Sequence, residues 1–198
     1  MRRVYVLAVL LAAGCGGGGA RQDAAEPSGS FKVEVVDASF PRSQHIAQTV
    51  RLRVRVRNGD TRALPVAVTV ETQAPGAGLA PSAFGQGSGD PELADSSRPV
   101  WVLDRGPLGG DTAAGNTWTS GPLRPGQSRV LTWKLVAAKA GTYTVAYRIA
   151  PGLTGKAKAA SGGRTEGRFR VTIHDEPVPA RVGPDGAVIS GGAAQPGS

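Results

Sequence analysis

Side chains capable of chemistry are few and far apart in this sequence. It holds one cysteine, Cys15, and two histidines, His45 and His174. Nucleophilic catalysis needs a base within hydrogen-bond reach of a serine or cysteine. No Gly-x-Ser-x-Gly elbow is present, since Gly87-Ser88-Gly89 lacks the first glycine at the required spacing. His45 falls in a polar connection and His174 lies out of phase with the apolar residues beside it, so both read as surface residues. A type I copper centre needs a cysteine and two histidines, normally with an axial methionine. Met1 is the sole methionine and Cys15 lies ahead of any foldable segment. Zinc meets the same shortage of ligands. Asp90, Glu92, Asp95, Asp104 and Asp111 share one stretch with Arg98 and Arg105, but Asp90-Pro91-Glu92 lacks the alternating spacing and central glycine of a calcium loop. It reads as a solvated acidic loop. Gly85-Gln86-Gly87-Ser88-Gly89 has neither the lysine nor the helix that completes a phosphate loop. The expectation is no catalytic residue, no metal site and no cofactor.

Two groups remain as binding candidates. Arg51, Arg53, Arg55 and Arg57 alternate with Val50, Leu52, Val54 and Val56, which puts the arginines on one face of a strand at intervals of about 6.8 Å. Such a row is either a soluble outer face or a contact for acidic polymers and anionic headgroups. Glu34, on a neighbouring strand, is a candidate ion-pair partner for one of them. Lys156, Lys158 and Arg164 form a second basic region. Trp101 and Trp118 stand in an otherwise polar stretch. Burial against a sheet edge accounts for such a pair; exposed, it would stack on sugar rings or seat a partner protein.

Positioning these groups falls to a chain of 198 residues with 29 Gly, 15 Pro, 40% hydrophobic residues and a net charge of +8. That length fits one domain plus tails. The single cysteine excludes an internal disulfide framework. Arg2 and Arg3 precede an apolar run from Val4 to Ala13. As a helix those residues cover about 15 Å, half of a bilayer core, so they are too short to span but match the core of a signal peptide. Ala12-Ala13-Gly14-Cys15 then resembles the lipobox of bacterial lipoproteins, with Ala12 where leucine is commoner. The resemblance implies that residues 1–14 are a lipoprotein signal peptide and that Cys15 is the lipid attachment site. It further implies a chain held by its N-terminal lipid on the extracytoplasmic face of the cell membrane. Acyl chains contribute about 0.8 kcal/mol per buried CH₂. Residues 15–30, with Gly16 to Ser30 reading GGGGARQDAAEPSGS, have the composition of a flexible tether with a reach of roughly 20 Å. Outside the membrane no nucleic-acid partner is expected.

Beyond Ser30 the apolar period is two. Val50 to Arg57 alternates without a fault, and Leu64, Val66, Val68 and Val70 repeat the pattern after Asn58-Gly59-Asp60. Further inward rows are Leu131-Trp133-Leu135, Tyr143-Val145-Tyr147-Ile149 and Phe169-Val171-Ile173. The first strand, from Phe31, changes parity at Val36, the mark of a bulge or edge bend. No apolar stripe of helical period occurs, so the chain is all-β, and strands of this spacing make a sandwich or a barrel. Gly141-x-Tyr143-x-Val145 resembles the tyrosine corner of immunoglobulin-like domains. The stretches NGDTRALPVAVTVET and GPLRPGQSRVLTWKLVAAKAGTYTVAYRI are similar to bacterial immunoglobulin-like modules of the cell-adhesion-related and sugar-enzyme-associated types. The resemblance implies an immunoglobulin-like antiparallel β-sandwich of about seven strands over residues 31–175. Its strands are A (31–40), B (49–57), C (64–71), E (128–137), F (142–150) and G (166–174), with a long C–E insertion, 72–118, that is loop-rich. Residues 176–198 read as a mostly disordered tail with a small hairpin around Pro184-Asp185-Gly186.

The resulting expectation is a non-catalytic binding or envelope-associated module whose partners are the membrane and an envelope polymer or membrane protein. The alternative is an accessory subunit of a membrane protein complex or enzyme, docked through the insertion that carries Trp101 and Trp118. A third reading, a hydrolase, would require His45 or His174 to share a pocket with a carboxylate.

Overall fold

A computed structural model describes residues 26–73, 83–86, 99–186 and 188–190. In chain order the first eight strands are β1 (Gly29–Phe31), β2 (Val33–Ser39), β3 (Ser43–His45), β4 (Thr49–Asn58), β5 (Leu64–Gln73), β6 (Gly85–Gln86), β7 (Trp101–Leu108) and β8 (Asp111–Ala114). They are followed by β9 (Thr117–Leu123), β10 (Ser128–Ala137), β11 (Gly141–Ala150), β12 (Ala157–Ala159), β13 (Glu166–His174), β14 (Ala180–Val182) and β15 (Val188–Ser190). One sheet runs β2-β4-β10-β7-β6 and the other β3-β13-β11-β5-β9-β8. The strands expected as A, B and E thus lie side by side with β7 in fourth place, and G, F and C form the centre of the second sheet. This is the immunoglobulin-like sandwich order.

Alternation decides which residues fill the space between the sheets. Val50, Leu52, Val54 and Val56 of β4 are buried while the intervening arginines are exposed. Each such aliphatic side chain contributes roughly 1.5–3 kcal/mol by leaving water. Two aromatic groups run through the same core. Tyr147, Phe169, Phe40, Trp101 and Tyr143 follow one another at centroid distances of 5.5–6.1 Å. Phe84, Trp118 and Trp133 form the other, with Trp118 and Trp133 at 5.3 Å and 75°. Of the bulge or edge bend expected at Val36, the structure has a register shift between Val35 and Asp37 opposite β4, and it leaves Val36 exposed. The tyrosine corner closes as its resemblance implied. Tyr143 Oη donates to the Ala140 carbonyl at 2.7 Å, and Gly141, at φ +140°, leaves room for that hydroxyl, which a Cβ there would meet at 2.8 Å.

Three expectations are corrected. Among the described residues the sandwich sheets hold five and six strands rather than about seven in all. The insertion, loop-rich with strand-like sequence only at Val100 to Leu103 and Thr117 to Thr119, carries longer strands there: β7 completes one sheet beside β10 and β9 extends the other beside β5. Both carry Gly-Pro in their second halves and both pair through register shifts, so only their first residues read as strand in the sequence. The chain passes from β7 in one sheet to β8 in the other through Gly109-Gly110. A Cβ on Gly109 (φ +88°) would run into the Val130 carbonyl, and one on Gly110 would meet the Thr119 carbonyl at 2.6 Å.

Finally, the tether ends sooner than Ser30. Glu26 Oε2 accepts the Leu153 and Thr154 amides at 2.7 and 2.8 Å, and Oε1 accepts that of Ala157 at 3.3 Å. β1 then pairs in parallel with β12, and Phe31 is buried with Leu64 and Ala157 in a small satellite core. Burial pushes the Glu26 carboxyl up, but the amides of Thr154, Leu153 and Ala157 outweigh it and hold the group below the ordinary glutamate range. In the tail, β14 and β15 form the expected antiparallel hairpin.

Candidate functional site

The arginine row lies where alternation places it, along the outer face of the first sheet. Arg51, Arg53, Arg55 and Arg57 are all exposed. Their neighbours divide the row in two. On β2, Glu34 stands opposite Arg57 and Asp37 opposite Arg55, and Arg57 Nε contacts Glu34 Oε1 at 2.8 Å, the pairing anticipated for Glu34. Arg53 instead stands between Ser39 and Thr132, and Arg51 opposite Lys134. Lys134 Nζ is engaged by Asp104 Oδ2 at 2.6 Å, and that hydrogen bond, then the ammonium charge, hold the Asp104 carboxyl below its ordinary range. Among the described residues, the charge with no acidic residue opposite it in the ladders is therefore centred on Arg51 and Arg53. At the other end lies a depression of about 360 Å³, lined by Lys32, Glu34, Arg57 and the 160–163 loop. Of the second basic region, Lys156 and Lys158 are exposed, while Arg164 Nε donates to the Val35 carbonyl at 3.3 Å.

A pair of changes separates the two readings of this face. In a chain carrying Cys15→Ser, replacing Arg53 and Arg55 with Gln is expected to leave unfolding free energy within about 0.5 kcal/mol of the parent. The parent should adsorb only modestly to anionic vesicles, with adsorption lost near physiological salt, where screening acts over about 8 Å. Tight, salt-resistant adsorption that disappears in the double variant would make the row a recognition surface.

The tryptophans do not form a docking platform. Trp101 and Trp118 are 0% and 2% exposed. Trp101 Nε1 donates to Gln44 Oε1 at 2.7 Å inside the core, and Trp118 packs edge-on against Trp133. As candidate partner-binding residues they are withdrawn. Their area is already committed to closing the two sheets, because the strands that carry them are sandwich strands rather than loop. Of the acidic stretch, Asp90, Glu92 and Asp95 lie outside the described residues, as does Cys15.

The structure brings together what the sequence kept apart. β3 pairs in parallel with the end of β13, in a register that sets His45 opposite His174. The imidazole centroids are 5.0 Å apart with planes at 33°. His45 Nδ1 lies 2.9 Å from the Glu176 carbonyl oxygen, and His174 Nε2 lies 3.1 Å from Ser43 Oγ. Ser43 and His174 have the spacing of a nucleophile and base. Among the described residues the contacts of the two rings are nevertheless with each other, a hydroxyl and a backbone carbonyl rather than with a side-chain carboxylate. Nothing local in a three-residue strand announced this pairing; it rests on a parallel ladder between segments 129 positions apart.

No protein-family model matches the chain, and no curated protein matches it. Among solved structures it is similar to the CARDB domain of a Pyrococcus furiosus protein in complex with di-metal ions, at 14% identity and TM-score 0.44, covering 76% of this chain and 100% of that one. A cohesin module from a Clostridium perfringens family 33 glycoside hydrolase is similar at 8% identity and TM-score 0.43, covering 74% of this chain and 100% of the module. A β-glucosidase from Listeria innocua, in complex with glucose, is similar at 14% identity and TM-score 0.42 over 75% of this chain and 17% of the enzyme.

Proposed function

We propose that the chain is an extracytoplasmic lipoprotein, acylated at Cys15, whose immunoglobulin-like sandwich serves as a non-catalytic binding or envelope-associated module. The observation that carries this reading is how the chain joins the sandwich. The Glu26 carboxylate is held by three amides of the connection between β11 and β13, only eleven positions after Cys15. A chain of that length reaches roughly 20 Å, so an anchored sandwich would present this pole to the membrane. The ladder of nine-residue β13 against β11 spans about 30 Å from there to the opposite pole. Lys32, Lys156 and Lys158 are exposed on or beside the anchored pole, and basic residues so placed contribute about 1 kcal/mol each near an anionic leaflet. The arginine row runs from that pole towards the distal one, with Arg51 farthest out and open to partners in the envelope.

Cys15→Ser tests the anchor. The wild-type protein is expected to carry a diacylglycerol mass increment and to partition into detergent. The variant is expected to lose the increment, the partitioning and processing by the lipoprotein route. A wild-type protein without added lipid mass would overturn the reading.

A further inference from the structure

We propose that His45 and His174 form a two-imidazole site for a divalent transition-metal ion, with the preference Cu²⁺ over Ni²⁺ and Zn²⁺, at the pole of the sandwich remote from Glu26. Three observations lead there, and none depends on the anchor. The first is register. Residues opposite each other on adjacent strands project from the same side of the sheet, and the β3–β13 ladder places these two directly opposite.

The second is spacing. With metal–nitrogen bonds of about 2.0–2.1 Å, each ring centre lies about 3.2 Å from the ion, so two rings bound at square-planar to tetrahedral angles have centres about 4.5–5.2 Å apart. The rings are already 5.0 Å apart. That separation falls inside the range that a shared ion would set.

The third is the state of the nitrogens. A carbonyl oxygen only accepts, so the contact between His45 Nδ1 and the Glu176 carbonyl fixes the proton on Nδ1 and leaves the Nε2 lone pair available. A backbone carbonyl holding the second nitrogen is the usual way a ligating histidine is oriented. Ser43 Oγ either donates or accepts, so His174 can offer a lone pair from Nδ1 while Nε2–H donates to the hydroxyl. His174 is exposed and His45 half-buried, which leaves the remaining coordination positions to water. Imidazole pairs suit copper, nickel and zinc, and affinity rises to a maximum at copper. Charged neighbours in the chain are of both signs: Arg42 before β3, Lys139 before β11, and Asp175 and Glu176 after β13. Because the two ligands sit on different strands, an ion there would tie β3 to β13 and so hold the segment beyond His174 in place.

The test uses the untagged full chain carrying Cys15→Ser, so that no thiol competes, titrated with CuCl₂, NiCl₂ and ZnCl₂ at neutral pH. One ion should bind per chain, with copper tightest, and its electron paramagnetic resonance should show coupling to two imidazole nitrogens. At a hundredfold excess over Kd the melting temperature should rise by about 5–10 °C. His45→Ala and His174→Ala should each weaken copper binding at least tenfold, whereas Ser43→Ala should change it less than threefold. Melting temperatures of the variants without metal show whether each remains folded, and His174→Gln supplies a polar replacement if the alanine variant does not. Binding that survives loss of both histidines, coupling to a single imidazole, or no binding at millimolar metal would each overturn the proposal.

Discussion

Trp133→Ala is expected to cost about 3–5 kcal/mol of unfolding free energy, a fall of roughly 6–20 °C in melting temperature for a domain of this size. Trp133 lies in the middle of β10, is fully buried and meets Trp118 edge-on. Its truncation opens a cavity between two sheets whose backbones are tied by ladders on both sides of β10 and have little freedom to collapse. Among the described residues the Trp133 indole N–H has no acceptor, so Trp133→Phe should cost less than half as much as the alanine change. Trp101→Phe should behave differently. It removes the donor to Gln44 Oε1, and Gln44 is itself 0% exposed, so an unpaired buried acceptor adds about 1–3 kcal/mol. Leu108→Ser, on a residue 61% exposed, should stay within about 0.5 kcal/mol of wild type. Denaturant unfolding of the four variants checks the order; a Trp133→Ala loss no larger than that of Leu108→Ser would contradict the core assignment.

Asn58→Asp is expected to be of similar severity at pH 7 and, unlike the first, to depend on pH. Asn58 ends β4 with no exposed surface. Its Nδ2 donates to the Arg62 and Leu123 carbonyls at 2.7 and 2.8 Å, and its Oδ1 accepts the Asp60 amide at 2.9 Å. Its backbone is bonded to Gln127 and Gly126, so one residue joins the turn after β4 to the turn before β10. An ionised carboxylate would keep the acceptor role but confront two carbonyl oxygens without a proton to offer. The expected loss is about 3–5 kcal/mol. The introduced carboxyl would have a folded pKa above its unfolded value of about 3.9. The unfolded state then binds fewer protons than the native state between those two values, so the variant loses stability as pH rises from about 4. Measured against wild type, the deficit should be small at pH 4 and near its full size at pH 7. A deficit equal at both values would show that the lost donor, rather than the buried charge, sets the cost.

These two residues differ in how far they could be read beforehand. Trp133 belongs to an alternating row with Leu131 and Leu135, and alternation alone announces an inward side chain. Asn58 stands in Asn-Gly-Asp, which signals a turn and predicts exposure. Its burial follows from the Leu123 and Gln127 carbonyls, which arrive from more than sixty positions away. Phe84 shows the same limit. It lies within a polar stretch, yet it is buried against Trp118, because the short β6 pairs in parallel with β7.

By itself the sequence determined the all-β class, the inward rows of the central strands, the change of parity at Val36 and the outward arginines, while the corner at Tyr143 was implied by resemblance. Each of these follows from period-two alternation or from a contact spanning a few residues, and such information is local. Tertiary structure decided that β7 and β9 join the sandwich, that Gly109-Gly110 carries the chain from one sheet to the other, that Glu26 is clipped to the 153–157 turn, and that His45 meets His174. All four depend on which distant strands become neighbours and in what register. Ladder hydrogen bonds are made by backbone groups that nearly every residue possesses, so short strands can pair across the chain without leaving a mark in their side chains.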